Sequence, residues 1–137
     1  MASSITSWIS SIEITELTDD VLEIIENNDV IANHLHIPLQ AGSDNVLKLM
    51  NRKYDRKYFI EIINKIRNIR PNISITTDVI VGFPYETNKE FEITKDIIKK
   101  VGFSKLHVFP YSIRRKTKAA EMPQVQDIIK KTRALDL

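Results

Sequence analysis

The chain has 137 residues, 42% of them hydrophobic and 28% charged, and its 20 basic and 18 acidic side chains leave a net charge of +2. That composition suits one globular domain and excludes a disordered, collagen-like or membrane-spanning polypeptide. With no cysteine, these residues alone cannot build a disulfide framework, a zinc finger, a thiol nucleophile or a cysteine-ligated iron–sulfur cluster.

The charges are unevenly placed. No Lys or Arg precedes Lys48, whereas Arg114, Arg115, Lys116 and Lys118 crowd together near the end. Such asymmetry suits an anionic partner such as nucleic acid; two solvated faces would also produce it. The stretch from Met1 to Ser11 lacks the basic and apolar regions of a secretory signal, and no apolar run approaches a membrane span. A cytoplasmic location is expected.

In chain order, Ile5 to Ile14 alternates with the period of a strand. Leu17, Val21, Leu22 and Ile25 then follow helical spacing behind Thr18, an N-cap, with Leu17 and Leu22 as a hydrophobic staple. Val30 to Leu39 reads as a second strand, running into a loop at Gln40 to Asp44 and a short helix from Asn45 to Met50. Asp55 caps a longer helix with the apolar stripe Phe59, Ile62, Ile63, Ile66 and Ile69, and Pro71 stops it.

Ile73 to Val81 is nearly all β-branched, as in a parallel strand covered by helices. Thr87 and Glu90 form a capping box for the helix of Phe91, Thr94, Ile97, Ile98 and Val101, and Gly102 sits at its C-cap. A strand from Lys105 to Tyr111 follows, and Val125, Ile128 and Ile129 mark the apolar side of a last helix. Four βα repeats with short connections predict a parallel sheet with right-handed crossovers.

Alternation within the strands separates a doubly wound sheet from a barrel. Leu35, Ile37 and Leu39 share one face, and His34, His36 and Gln40 share the other. The next strand divides into Ile75, Thr77, Val79 and Val81 against Thr76, Asp78, Ile80 and Gly82, and the last into Leu106 and Val108 against His107, Phe109 and Tyr111. One apolar face and one chemically equipped face favour a barrel segment with a polar mouth, although a closed eight-stranded barrel takes roughly 250 residues. His36 also fits a hydrogen-bonded core group, Asp78 a structural pairing, and Gly82 a simple turn. No Walker loop, GxGxxG, HExxH or GxSxG occurs.

His36-Ile37-Pro38-Leu39-Gln40-Ala41-Gly42-Ser43-Asp44, continued by Val46 to Arg52, and Thr76-Thr77-Asp78-Val79-Ile80-Val81-Gly82-Phe83-Pro84, continued by Glu86-Thr87, resemble the second half of the radical S-adenosylmethionine (radical SAM) domain of methylthiotransferases. Ser10 to Glu13 resembles the preceding strand, and Leu106 to Ser112 with Ala119-Ala120 and Met122 to Val125 resembles the final strand and exit. The last stretch is most similar to the branch that methylthiolates threonylcarbamoyladenosine beside the tRNA anticodon. Branches acting on isopentenyladenosine or on a ribosomal protein aspartate share the middle motifs, and a non-catalytic scaffold half-barrel is a further alternative.

The resemblance implies an α/β fold, a partial (βα)6 radical-SAM, TIM-like barrel with four parallel strands and outer helices. It assigns residues 8–137 to that barrel and leaves residues 1–7 as an added or disordered leader. The N-terminal domain, the cluster-binding part and the C-terminal RNA-binding domain would lie elsewhere. The parent enzyme would use S-adenosylmethionine and two four-iron four-sulfur clusters, none of them expected on this chain alone, which would be inactive, with no catalytic residue and no metal ligand. Ser11, Glu13, His36, Gln40, Ser43, Asp78, Ile80 and Gly82 would contribute to the S-adenosylmethionine bed, and Arg114, Arg115, Lys116 and Lys118 would meet tRNA phosphates. An unpaired sheet edge would favour self-association in the absence of the first half of the barrel. Tyr85 stands where relatives usually have Gly and would resist a positive φ.

Overall fold

The computed structural model describes residues 11–28, 33–112, 122 and 124–137. Three parallel strands, β1 (His34–His36), β2 (Ser74–Val81) and β3 (Lys105–Pro110), form one sheet in the order β1-β2-β3. They are connected and flanked by the helices α1 (Asp19–Asn27), α2 (Asp44–Leu49), α3 (Arg56–Ile69), α4 (Asn88–Val101) and α5 (Asp127–Asp136). The strand-helix-strand order with parallel pairing is the expected α/β barrel plan.

The expected first strand lies mostly outside the described residues. Its end differs from expectation: Ile14–Glu16 forms a 3-10 turn, with the Glu13 amide donating to the Glu16 carboxylate at 2.9 Å. The turn drives Ile14 to complete burial. One ladder-like bond, from the Ile12 amide to the His36 carbonyl at 3.0 Å, ties this stretch to β1. The sheet of the described residues therefore has three strands rather than four.

β1 ends before the expected Leu39 because Pro38 has no amide to donate. Instead the Thr77 hydroxyl donates to the Ile37 carbonyl at 2.7 Å and accepts from the Leu39 amide at 2.8 Å, bridging the gap in the ladder. Pairing resumes at Gln40, which sits opposite Val79 with φ of 69°. The Ile37 amide bonds the Thr76 carbonyl, and the Gln40 amide bonds the Asp78 carbonyl. Three residues on one strand thus span two on the other, a bulge. It removes Gln40 from the expected alternation with His34 and His36.

Each of the first four helices begins where its cap residue stands. Thr18, Ser43, Asp55 and Thr87 accept from the amides of Val21, Val46, Tyr58 and Glu90 at 3.4, 3.5, 2.8 and 3.2 Å. Each such cap is worth about 1 kcal/mol. The stapling pair Leu17 and Leu22 is buried, as are Phe59, Ile62, Ile63 and Ile66 of α3 and Phe91, Thr94, Ile97 and Val101 of α4. They close on Leu35, Ile37, Leu39, Ile75, Val79 and Val81, so the core lies on the helix side of the sheet.

α5 inverts the expectation. Ile128 and Ile129 face solvent, 67% and 36% exposed, while Lys130 and Arg133 are each 5% exposed. The surface that α5 covers is the ends of β2 and β3 and the start of α4, where carbonyls and a buried carboxylate await donors. Cations on that face satisfy groups that isoleucines would leave unpaired.

Candidate functional site

The sheet face away from the core is the equipped one. His36 pairs in register with Thr76, Asp78 with His107, and Ile80 with Phe109, so these side chains share one face of the sheet as a row of successive pairs along β2. The His36 ring joins two of them: Nδ1 lies 2.8 Å from the Thr76 hydroxyl and Nε2 lies 3.0 Å from Asp78 Oδ2. A carboxylate only accepts, so Nε2 carries the proton toward Asp78, and in the neutral ring Nδ1 accepts from Thr76. The His107 ring stands edge-on, 6.0 Å away between centroids. Phe109 is 52% exposed and Ile80 half-buried, giving apolar surface beside this polar row.

A second group flanks the row. Glu13 is half-buried, and its charge acts, with that of Arg52, on the buried Tyr54 hydroxyl. Burial pushes Tyr54 up to about 12, Arg52 pulls it down and Glu13 reinforces the rise. Tyr54 donates to the Leu39 carbonyl at 2.9 Å, beneath the Pro38 bulge. Arg52 Nε is buried without a hydrogen-bond partner among the described residues. Ser11 is exposed.

The remaining expected residues serve the frame around the row. Ser43 is 1% exposed, caps α2 and donates to the Glu90 carboxylate. Gly82, at φ of 74°, lies against α5, where an added Cβ would stand 2.3 Å from Lys130 Cγ. Its amide donates to Glu86 Oε1 at 2.8 Å. Arg133 donates to the same oxygen at 2.7 Å and to the Glu86 carbonyl at 3.1 Å. Burial raises the Glu86 carboxyl above its usual range, against the pull of the Gly82 amide and Arg133. Lys130 donates to the Tyr111 carbonyl at 3.2 Å and lies over that ring.

The structure therefore brings His36, Asp78 and Ile80 together, with Thr76, His107 and Phe109 added to them. Thr76 and His107 carried a sequence signal, since each alternates with the apolar face of its strand. Arg52, Lys130 and Arg133 carried none, because a cation on a helix or loop reads as solvated. Tyr85 adopts φ of 68° although it is not Gly. It occupies the third position of a turn closed by the Glu86 amide on the Phe83 carbonyl at 2.9 Å. Pro84 at the second position supplies the fixed φ that this turn needs, and the positive φ at Tyr85 is the one a type II turn requires at its third position. Arg114, Arg115, Lys116 and Lys118 lie outside the described residues.

The family model of the radical SAM superfamily matches residues 8–98. The threonylcarbamoyladenosine tRNA methylthiotransferase MtaB of Bacillus subtilis (strain 168) is 51% identical over 126 residues, covering 91% of this chain and 28% of that protein. The tRNA-2-methylthio-N(6)-dimethylallyladenosine synthase of Carboxydothermus hydrogenoformans is 46% identical over 123 residues, with 89% and 28% covered. Among solved structures, coproporphyrinogen III oxidase of Escherichia coli, a radical SAM enzyme, superposes with a TM-score of 0.69 at 23% identity, over 92% of this chain and 29% of that one. The chain thus spans 28% of the length of either of these curated relatives. No helix among the described residues is long and apolar enough to cross a membrane.

Proposed function

This chain belongs to the radical SAM superfamily, and from that premise we propose that it forms the second half of the catalytic barrel of a tRNA methylthiotransferase acting on threonylcarbamoyl-modified adenosine. One conjunction carries the reading: the polar row His36, Thr76 and Asp78 stands on the open face of a parallel sheet in a sequence 51% identical to such an enzyme. The lower identity, 46%, to the dimethylallyladenosine enzyme favours the threonylcarbamoyl substrate.

S-adenosylmethionine fits the donor set. The unpartnered Nε of Arg52 suits a carboxylate and the Glu13 carboxylate suits an ammonium group. Asp78, whose Oδ2 is held by His36, offers its other oxygen as an acceptor to ribose hydroxyls, and Ile80 and Phe109 offer an apolar surface to a purine. When bound, S-adenosylmethionine supplies a transferable methyl group and the sulfonium whose reductive cleavage drives hydrogen abstraction. The protein's part is to hold and orient it: Asp78 fixes the His36 ring, and Thr76 fixes its other nitrogen. A four-iron four-sulfur cluster does not fit these residues, which include no cysteine. In this reading the chain alone is inactive and works with a cluster-bearing first half of the barrel in the cytoplasm. On its own it self-associates through the unpaired sheet edge that the first half of the barrel would cover.

Two measurements test the proposal. The reading frame upstream should encode three cysteines with three- and two-residue gaps. Co-production of the chain with that segment should add a methylthio group to threonylcarbamoyladenosine in tRNA from a strain lacking it, scored by mass spectrometry of nucleosides. Absence of the cysteine triplet, or methylthiolation confined to isopentenyladenosine, overturns it.

A further inference from the structure

The edge of the sheet where β1 and β2 end is also where α2, α3 and α4 begin. Hydrogen bonds tie these starts together: Ser43 and Asn45 both donate to the Glu90 carboxylate, and the Arg56 amide donates to Asp44 at 2.7 Å. Four lysines stand on this edge, all exposed: Lys48 in α2, Lys53 in the loop before α3, Lys57 in the first turn of α3 and Lys89 in the first turn of α4. None takes part in an ion pair among the described residues.

That freedom distinguishes them from four of the seven other lysines among the described residues. Lys65 pairs with Asp19, Lys95 with Glu92 and Asp136, Lys100 with Asp96, and Lys130 with Asp127. Acidic groups on the same edge are already engaged. Asp44 accepts from the Arg56 amide, Asp55 from the Tyr58 amide, and Glu90 from Ser43 and Asn45. Helix N-termini favour acidic residues, so Lys57 and Lys89, unpaired in the first turns of α3 and α4, gain nothing for the fold there, whereas Lys48 lies in the last turn of α2.

An exposed aromatic ring shares the edge. Tyr85 follows β2, is 52% exposed and is held at φ of 68°. A non-glycine residue in that region costs about 1–3 kcal/mol, and such strain gathers where a side chain is needed for function. Unpaired cations beside an exposed ring form the pattern that binds single-stranded nucleic acid, with phosphates on the cations and a base stacked on the ring.

We infer that Lys48, Lys53, Lys57, Lys89 and Tyr85 form an RNA-contact rim around the site, the lysines taking phosphates of a loop and Tyr85 stacking on an unpaired base. This rests on the tRNA-substrate reading above and adds the surface by which the described part of the chain meets that RNA. It is separate from Arg114, Arg115, Lys116 and Lys118.

The test is fluorescence anisotropy of the whole chain with a labelled tRNA anticodon stem-loop over a range of salt concentrations. Each phosphate contact contributes about 0.7 to the logarithmic salt slope on a single strand. The K48A/K53A/K57A/K89A variant should therefore bind about tenfold or more weaker at physiological salt, with a slope shallower by about two to three units. A variant lacking Lys99, Lys105 and Lys131, the other lysines without an ion pair among the described residues, should lose less than about twofold. Y85A should lose about fivefold or more with the slope unchanged, and Y85F should retain affinity. Far-UV circular dichroism matching the parent chain establishes that each variant is folded.

No binding by the parent chain overturns the rim, as does equal loss from the control variant. Equal binding of an acidic polypeptide, lost on the same substitutions, also overturns it in favour of a protein partner. A rim that binds RNA in a chain with no upstream cysteine triplet keeps this inference and removes the methylthiotransferase reading; the reverse result removes the rim alone.

Discussion

α3 and α5 are both amphipathic helices packed near the same sheet, yet they bury opposite kinds of side chain. α3 turns Phe59, Ile62, Ile63 and Ile66 inward, the stripe its sequence announces. α5 turns Lys130 and Arg133 inward and leaves Ile128 and Ile129 in solvent. The difference lies in what each helix covers. α3 covers apolar strand side chains, so area removed from water decides its orientation. α5 covers a strand end and the Glu86 carboxylate, and there an unmet hydrogen bond costs more than an exposed isoleucine.

The contrast is tested most severely by Arg133. R133M should destabilise by about 3–5 kcal/mol in urea unfolding, since it strands a buried carboxylate. Adding E86Q should recover a large part of that loss, because the remaining amide carries no charge. F59A on α3 should cost about as much through a cavity, about 3–5 kcal/mol, and E86Q should not relieve it. I128S should change stability by less than about 0.5 kcal/mol. If I128S were as damaging as R133M, the inverted face of α5 would be wrong.

Smaller effects sharpen the boundary between strand end and helix. G82A places a Cβ against the Lys130 stem at a φ of 74° and should cost about 1–3 kcal/mol. K130A should restore the steric part of that loss and leave the backbone part, which a double-mutant cycle separates. Y85G relieves the left-handed strain and should stabilise by about 1 kcal/mol. The same glycine should abolish the stacking contribution to RNA affinity.

The mildest test is by pH. Tyr54 ionises near 10.0 when unfolded and near 12 when folded, so the folded state holds its proton more tightly. The stability this gives is present below pH about 10 and is lost as the pH rises toward 12. Spectrophotometric titration should show one tyrosine ionising late, together with unfolding, and Y54F should flatten that alkaline slope.

Much of the site was legible before any coordinates. Alternation along β2 separated Asp78 and Ile80 from Ile75, Val79 and Val81, and the register bears this out. Alternation misled at Gln40, because the Pro38 bulge adds a residue that period-two counting cannot see. It was silent on Arg52, whose unpartnered Nε depends on the packing around it. Tyr85 was expected to resist a positive φ and adopts one, because Pro84 and the closing Glu86 amide define the turn.

By itself the sequence determined the parallel α/β plan, the caps, the core stripes of α1, α3 and α4, and the strand face that carries His36 and Asp78. Those features depend on neighbours within a few residues, where period and propensity act. The tertiary structure decided the Thr76–His36–Asp78 contacts, the bulge at Gln40, the Glu86–Arg133 pair and the inward cations of α5. Each joins groups distant along the chain or depends on the polarity of the surface being covered, and pairings of that kind exist only once the chain has closed on itself.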